Sequence, residues 1–485
     1  MNSFKNCLFV PCVFFFNIIT AQNYQAIHGS SFAGSLGAAS NPASIVHVPY
    51  AWDITPVSFQ TKQSTNAFKV ENYSFLSSPT NATLLAESGT LKRFLFTNQD
   101  IHLLNTRIRL NDKSAIAFGA NVRNYVFAIT SSTNWLDTTR SLADFFKINV
   151  DHVPLSGESK GATWFELYGI YARTVINNGG RILNGGITVK INRAVAGEIV
   201  KANDLSYMPS GSGYLVNAGN VQYGYSANFD KIKSSNTSSQ NAKLFLQNTY
   251  ASISVDMGLE YILLENDEDA DGGEYAYRTK IGISMMDVGR NKYRFGRNSR
   301  YAASVKPGVT DTVLENKFSN LKSFDDFNDS LASIVNTFSQ NSGPFNIYQP
   351  TRLIVNVDQH IADNFFVNAE LTFSVLSLVP KKLPYVKDMN LLAVTPRWET
   401  RLLGAYLPVL LNTKNQLWVG GAIKAGPLLL GTHNLANLFS KNKSANGGFY
   451  LALTFRPGKN HDGESNISAD RQSGKSKRSI QCPKF

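Results

Sequence analysis

The densest set of metal-ligating groups in the chain is Asp267-Glu268-Asp269-Ala270-Asp271-Gly272. Asp267, Asp269 and Asp271 stand at the first, third and fifth positions of a calcium loop, and Gly272 stands where such a loop turns sharply. The match then stops, because Arg278 occupies the place of the closing bidentate Glu. Two readings stay open: a calcium site completed by Glu274, a backbone carbonyl or water, and a plain solvated acidic turn. His28, His47, His102, His152, His360, His433 and His461 are widely spaced, and no HExxH pair exists among them. There is no GxSxG, no P-loop and no GxGxxG after a strand, so nucleophilic, phosphoryl and dinucleotide chemistry have no motif to rest on. The reading is a protein that is not an enzyme, with no catalytic residue and no organic cofactor.

The remaining candidates are charges that recur at alternate positions. Arg107, Arg109, Arg123, Lys190, Arg278, Lys280 and Arg352 face Glu166, Asp256, Glu260, Asp358 and Glu370 in number, each within a run whose other positions are apolar. Leu104, Thr106, Ile108 and Leu110 alternate with Asn105, Arg107 and Arg109. After Asn111-Asp112-Lys113, Ile116, Phe118, Ala120 and Val122 alternate with Ala117, Gly119, Asn121 and Arg123. The same hairpin unit returns around the turns at 177–180 and 362–364. A soluble sandwich also alternates, but its polar face looks at bulk water. Charges of both signs on the polar face fit a closed lumen, with the apolar face toward lipid. The charges then either pair with one another and wall off water or offer an attractive lining to anionic solutes.

The elements that must position these charges are many short strands. No apolar run is long enough for a membrane-crossing helix, which excludes a helical membrane protein. Aromatics make up 12% of the chain, and Tyr168, Tyr171, Tyr261, Tyr275, Tyr277 and Trp398 fall near strand ends, where interfacial girdles lie. Long polar stretches at 69–100, 127–162, 229–248 and 289–350 read as loops on one side, opposite the short turns. Within one of them, Phe324, Phe327, Leu331 and Ile334 are spaced for a short amphipathic helix over Ser323 to Phe338. The formal charge of +12 does not indicate nucleic acid, because the basic residues are scattered and their excess is confined to the C-terminal tail.

The N-terminus reads as a signal peptide over 1–21: Lys5 supplies the positive region, Leu8 to Ile19 the apolar stretch, and Ile19-Thr20-Ala21 the cleavage site. Cys7 and Cys12 fall in that leader, so Cys482 alone remains and no internal disulfide forms. The tail over 457–485 is polar, basic and without period, which reads as disordered until a periplasmic partner orders it. Before it, Asn446-Gly447-Gly448-Phe449-Tyr450-Leu451-Ala452-Leu453 resembles the signal on the last strand of outer-membrane barrels, which the barrel assembly machinery reads. Such strands end the protein with an aromatic residue, whereas here the chain runs on past Phe455.

Six further segments carry a wider resemblance: 37–43 (GAASNPA), 165–167 leading into 185–190, 256–261, 286–289, 395–400 and 426–432. Through them the mature chain resembles a Bacteroidota outer-membrane barrel family of unassigned function, distantly similar to FadL-type transporters of hydrophobic compounds. The resemblance implies an all-β, antiparallel, up-and-down transmembrane barrel over 50–456, of about 14 strands. It also implies a plug-like segment over 22–49, built around Asn41, Pro42 and Ala43. The expected place is the outer membrane of a Gram-negative bacterium after Sec export, with outer-membrane lipid as the standing partner. The expected role is passive uptake of small hydrophobic or amphipathic compounds; the alternative is a non-transporting barrel serving as a surface scaffold or as an anchor for a secretion or motility assembly.

Overall fold

Alternation makes each strand two-faced, and here the two faces are the reverse of those in a soluble protein. In the segment Arg181–Ser210, Ile187, Val189 and Ile191 are exposed, whereas Thr188, Lys190 and Asn192 are buried. Polar groups inside and large apolar groups outside make sense only where the surroundings are lipid. The computed structural model describes residues 25–457 apart from 234, 248, 266–275 and 379–382. The leader expected over 1–21, the acidic turn with Asp267, Asp269 and Asp271, Tyr275, and the chain from 458 onward therefore lie outside the described residues.

Fourteen antiparallel strands close into one barrel. The first five are β1 (Trp52–Thr65), β2 (Gly89–Asn111), β3 (Ser114–Trp135), β4 (Leu155–Asn177) and β5 (Arg181–Ser210). In β6, Gly213–Tyr225 pairs with the upper half of β5 and Ala251–Leu264 with its lower half. β7 joins Tyr277–Arg294 to Arg300–Val305, and β8 joins Val335–Gln340, Pro344–Tyr348 and Arg352–Ala362. β9 (Phe365–Ser374) and β10 (Leu391–Glu399) are short. β11 (Leu403–Tyr406 and Val409–Asn412) and β12 (Leu417–Val419 and Gly421–Ala425) are broken near Pro408 and Gly420. β13 (Leu428–Thr432) leads to β14 (Phe449–Phe455), which closes the ring on β1 through Ile54 opposite Phe455 and Val57 opposite Leu453.

The short turns share one end. Asn111 Oδ1 accepts from the Lys113 amide at 2.9 Å, Asn177 Oδ1 from that of Gly179 at 3.1 Å, and Asp363 takes a left-handed φ of 49° between β8 and β9. β1 starts and β14 ends at this same end, so both ends of the barrel strands lie on the turn side. At the other end the molecule is lopsided. β2 to β5 run 23, 22, 23 and 30 residues, well beyond the 9–11 or so that cross a bilayer. β9, β10, β13 and β14 have only 10, 9, 5 and 7.

This corrects the polar stretches expected to be loops. Residues 89–100, 127–135, 155–162, 289–294, 300–305, 335–340 and 344–348 are strands of the tall wall. Above the bilayer both faces of a strand meet water or protein, so the alternation that marks a strand in lipid is lost. The helix expected from Ser323 to Phe338 spans Phe324–Ile334, capped by Ser323 Oγ, which accepts from the Asp326 amide at 3.0 Å. Phe327, Leu331 and Ile334 pack with helices Leu142–Asn149 and Asp311–Phe318 onto Tyr207, Val216 and Tyr223 of the tall wall, while Phe324 stays exposed. Val335–Gln340 is instead strand, paired with Arg300–Val305.

Candidate functional site

The lower lumen is filled by residues 25–50, wound as the short 3-10 turns Gln25–Ile27, Gly34–Ala39 and Pro42–Ile45. Asn41 caps the third turn: its Oδ1 accepts from the Ala43 amide and its Nδ2 donates to the Leu259 carbonyl, each at 2.9 Å. The turn lies flat against β5 and β6 because Gly186 and Gly258, paired across those strands, present no side chain. A Cβ on Gly258 would come within 2.1 Å of Asn41 Oδ1, and one on Gly186 within 2.5 Å of the Pro42 carbonyl carbon. Those glycines stand in segments that carried the family resemblance, and this close approach is their physical content.

Barrel charges hold the plug from all sides. Glu370 accepts from Gln25 Nε2 and bonds His28 Nδ1, each at 2.7 Å; Glu399 accepts from Ser30 Oγ at 2.6 Å; Lys280 Nζ donates to Ser31 Oγ at 3.1 Å. Asp53 accepts from the Ser35 amide at 2.8 Å and lies 3.6 Å from Arg107, which donates to the carbonyls of Ile45 at 2.6 Å and Tyr50 at 2.8 Å. The guanidinium groups of Arg401 and Arg456 stand 5.3 and 4.8 Å from the Tyr50 ring centre, and Arg456 also donates to the Phe32 carbonyl at 2.7 Å. Beside the plug, Arg397 grips Asp358 through two 2.7 Å bonds and Glu399 through a third, and Lys424 meets Glu399 at 2.8 Å.

Above the plug a second group spans the lumen. Asp287 bonds Arg123 at 2.5 Å, Lys190 at 2.6 Å and Arg352 at 3.1 Å. Arg123 also holds Asp100 at 2.8 Å and lies 3.7 Å from Glu166; Lys190 also holds Asp256 at 2.8 Å; Arg352 also holds Asp388, which pairs with Lys62 at 2.7 Å. Higher still the interior turns aromatic. Phe94, Phe96, Phe127 and Trp418 pack with Met389, and Tyr125, Trp164, Tyr293 and Phe345 with Val386. Residues Val386 and Met389 belong to the segment between β9 and β10, which folds into the mouth. Burial and the neighbouring Lys414 ammonium push the Lys387 ammonium of that segment below its ordinary value.

Of the charges picked out along the sequence, Arg107, Arg123, Glu166, Lys190, Asp256, Glu260, Lys280, Asp358 and Glu370 are buried in the lumen. Arg109 is half-buried beside the Asn111 turn. Arg278 is a correction: a bulge between Tyr277 and Thr279 breaks the alternation, so Tyr277 turns inward and Arg278 is exposed. Tyr168 and Tyr277 likewise line the interior and not a girdle; the Tyr277 hydroxyl bonds Asp358. The reading missed Asp287, Asp388 and Lys62, as well as Arg397, Glu399 and Lys424. Arg397 and Glu399 do alternate within β10, so that signal was present. Asp287 sits in a bulge at φ 59° and Asp388 in irregular chain, where period-two reading is blind.

A wide opening lies in the wall. An apolar recess of about 760 Å³ lies over β10 to β14, lined by Trp398, Leu407, Ile423, Leu430, Leu435 and Phe449 among others. Its floor is sunken because Ala405 and Gly421 stand where neighbours carry bulky groups. Tyr406 and Tyr450 also line it, and both pack inside against Ala26, Ile27, Ala33 and Leu36 of the plug.

A closed strand ring with a lipid-facing apolar band and a filled lumen defines a plugged transmembrane β-barrel of the outer-membrane kind. The chain belongs to the family of unknown function DUF5723, whose pattern it matches over residues 42–433. No curated protein matches it. Among solved structures it is similar to a Pseudomonas aeruginosa FadL homologue, at 12% identity and a TM-score of 0.41, over 90% of this chain and 99% of that one. It is similar too to the Ralstonia pickettii toluene transporter TbuX, at 11% identity and a TM-score of 0.39, over 87% and 94% of the two chains. A TodX deltaS2S3 mutant, a monoaromatic hydrocarbon channel, gives 9% identity and a TM-score of 0.37 over 87% and 92%.

Proposed function

We propose that this barrel takes up small hydrophobic or amphipathic compounds through its wall rather than along an aqueous axis. The observation that carries the reading is the apolar recess on the lipid-facing side of β10 to β14, which reaches Tyr406 and Tyr450 and, through them, the plug. The wall is weakest there. β13 pairs over only five residues, β11 and β12 are interrupted, and the seam between β14 and β1 is bulged. A water-filled route does not fit a lumen crossed by paired charges, since parting them without replacement costs several kcal/mol per pair. The route therefore runs from bilayer to recess, between the two tyrosines, and past a plug that shifts. Catalysis plays no part in it.

The occluded lumen also favours a second reading, a non-transporting scaffold whose tall wall, with the helices packed on it, meets a partner. One experiment separates them. Binding of naphthalene to the detergent-purified protein is followed by its fluorescence, with Ala405→Trp filling the recess. Uptake predicts saturable binding to the wild type, weakened at least tenfold in Ala405→Trp while heat-modifiability is retained. Absence of saturable binding to the wild type, or equal binding to the folded variant, rejects the recess as the entry and leaves the scaffold.

A further inference from the structure

Between the plug and the upper ion-pair group lies a second, much smaller cavity of about 50 Å³, floored by Ser35, Ala38 and Ala39. Its lining is rich in oxygen atoms that receive nothing. Gln60 donates its amide to Asp100 at 3.2 Å, Asn105 to the Ser35 carbonyl at 3.1 Å and Asn121 to Glu166 at 2.8 Å. Each amide thereby spends its donor, two on the wall and Asn105 on the plug, and Gln60 Oε1, Asn105 Oδ1 and Asn121 Oδ1 are left with no hydrogen-bond donor, as is Thr188 Oγ1. All four side chains are at least nine-tenths buried. Orphaned acceptors at such depth are costly and rare in folded proteins.

The charges around them do not balance. The connected group holds the carboxylates of Asp100, Glu166, Asp256, Asp287 and Asp388 against Lys62, Arg123, Lys190 and Arg352, one negative charge in excess. Four orphaned oxygens line this one cavity, and the ion-pair group that walls it is, taken whole, one positive charge short. We propose that this cavity is a binding site for one monovalent metal cation of sodium size, held directly by the amide and hydroxyl oxygens of Gln60, Asn105, Asn121 and Thr188.

Hard cations take oxygen ligands of this kind. Among the described residues, no group of three or more His, Cys, Asp or Glu side chains could hold a metal ion. That rules against a carboxylate-caged divalent ion and leaves neutral oxygens as the inner ligands, with the carboxylates balancing charge from behind. The volume has room for a small ion and a water, which needs roughly 10–15 Å³ of such space. That water serves Arg352 Nε, an unpaired buried donor on the same lining. Because Asn105 also holds the Ser35 carbonyl, the ion steadies the seat of the plug.

The test is the melting temperature of the full-length protein in detergent, in sodium chloride and in choline chloride at equal ionic strength, with limited proteolysis of the N-terminal segment alongside. Sodium should raise the melting temperature saturably and slow cleavage of the plug; choline should do neither. Thr188→Val and Asp256→Asn should each abolish the difference between the salts, whatever their own stability, and Thr188→Ser should keep it. Equal behaviour of the wild type in both salts overturns the site, as does a sodium effect that survives in both variants. A sodium effect absent from the wild type but present in His102→Asn also overturns it, and assigns the balancing charge to a proton on His102, which lines the same cavity.

Discussion

Asp287 is the carboxylate on which the upper ion-pair group turns, and Asp287→Asn isolates its charge. Asparagine has nearly the same shape and tolerates the left-handed φ of 59° at this position. Three buried cations then lose a partner at 2.5, 2.6 and 3.1 Å. Breaking a buried pair by neutralising one side costs about 3–5 kcal/mol. Each cation here keeps a second carboxylate: Arg123 keeps Asp100, Lys190 keeps Asp256 and Arg352 keeps Asp388. The loss therefore falls at the lower end, about 3 kcal/mol. It is read from reversible guanidinium unfolding of the refolded barrel, as a lower midpoint at unchanged slope. Asp287→Ala should lose roughly 1–3 kcal/mol more, because alanine does not favour that backbone conformation. If Asp287→Asn stayed within about 1 kcal/mol of wild type, the group would be bystander packing and not the structure that closes the lumen. The substitution also cancels the excess negative charge, so any sodium dependence should disappear with it.

Two further outcomes follow from the geometry. Gly258→Val places branched carbons where Asn41 Oδ1 lies 2.1 Å from a first Cβ, so the plug must lift: its N-terminal segment becomes protease-sensitive, and stability falls by about 1–3 kcal/mol, measured by melting. For topology, cysteines introduced at Ser131 and Ser342, on the tall side, should react with an impermeant reagent on intact cells, and one at Asp112, in a short turn, should not. The reverse pattern would invert the molecule in the membrane.

The membrane-crossing part of the fold was legible because lipid imposes strict alternation, as in Ile187 to Asn192. Closure was legible from the strand at 449–455, whose pattern stands apart from the polar chain after it. The tall wall was not, since Ser156, Ser159 and Thr163 meet no lipid and so carry no binary signal. The ionic interior was half legible. Strand charges such as Arg123, Lys190 and Glu370 announce themselves by period, but their partners Asp287 and Asp388 sit in a bulge and a loop. Their roles follow only from which strands the barrel brings opposite one another. The recess left no mark at all, being made by Ala405 and Gly421, two small residues whose meaning depends on bulky neighbours far along the chain.

The contacts of Arg456 bear on how the molecule is made. Tyr50 stands just before the first strand, and Arg456, one of the two guanidinium groups over its ring, stands just after the last. The same Arg456 holds the Phe32 carbonyl inside the plug. The plug is thus the earliest part of the described chain to be synthesised, yet one of its contacts, that from Arg456, is complete only when the fourteenth strand has found the first. An incomplete ring lacks that contact to the Phe32 carbonyl and to the Tyr50 ring. Closing the ring and completing the hold on the N-terminal segment are therefore linked through one side chain, Arg456.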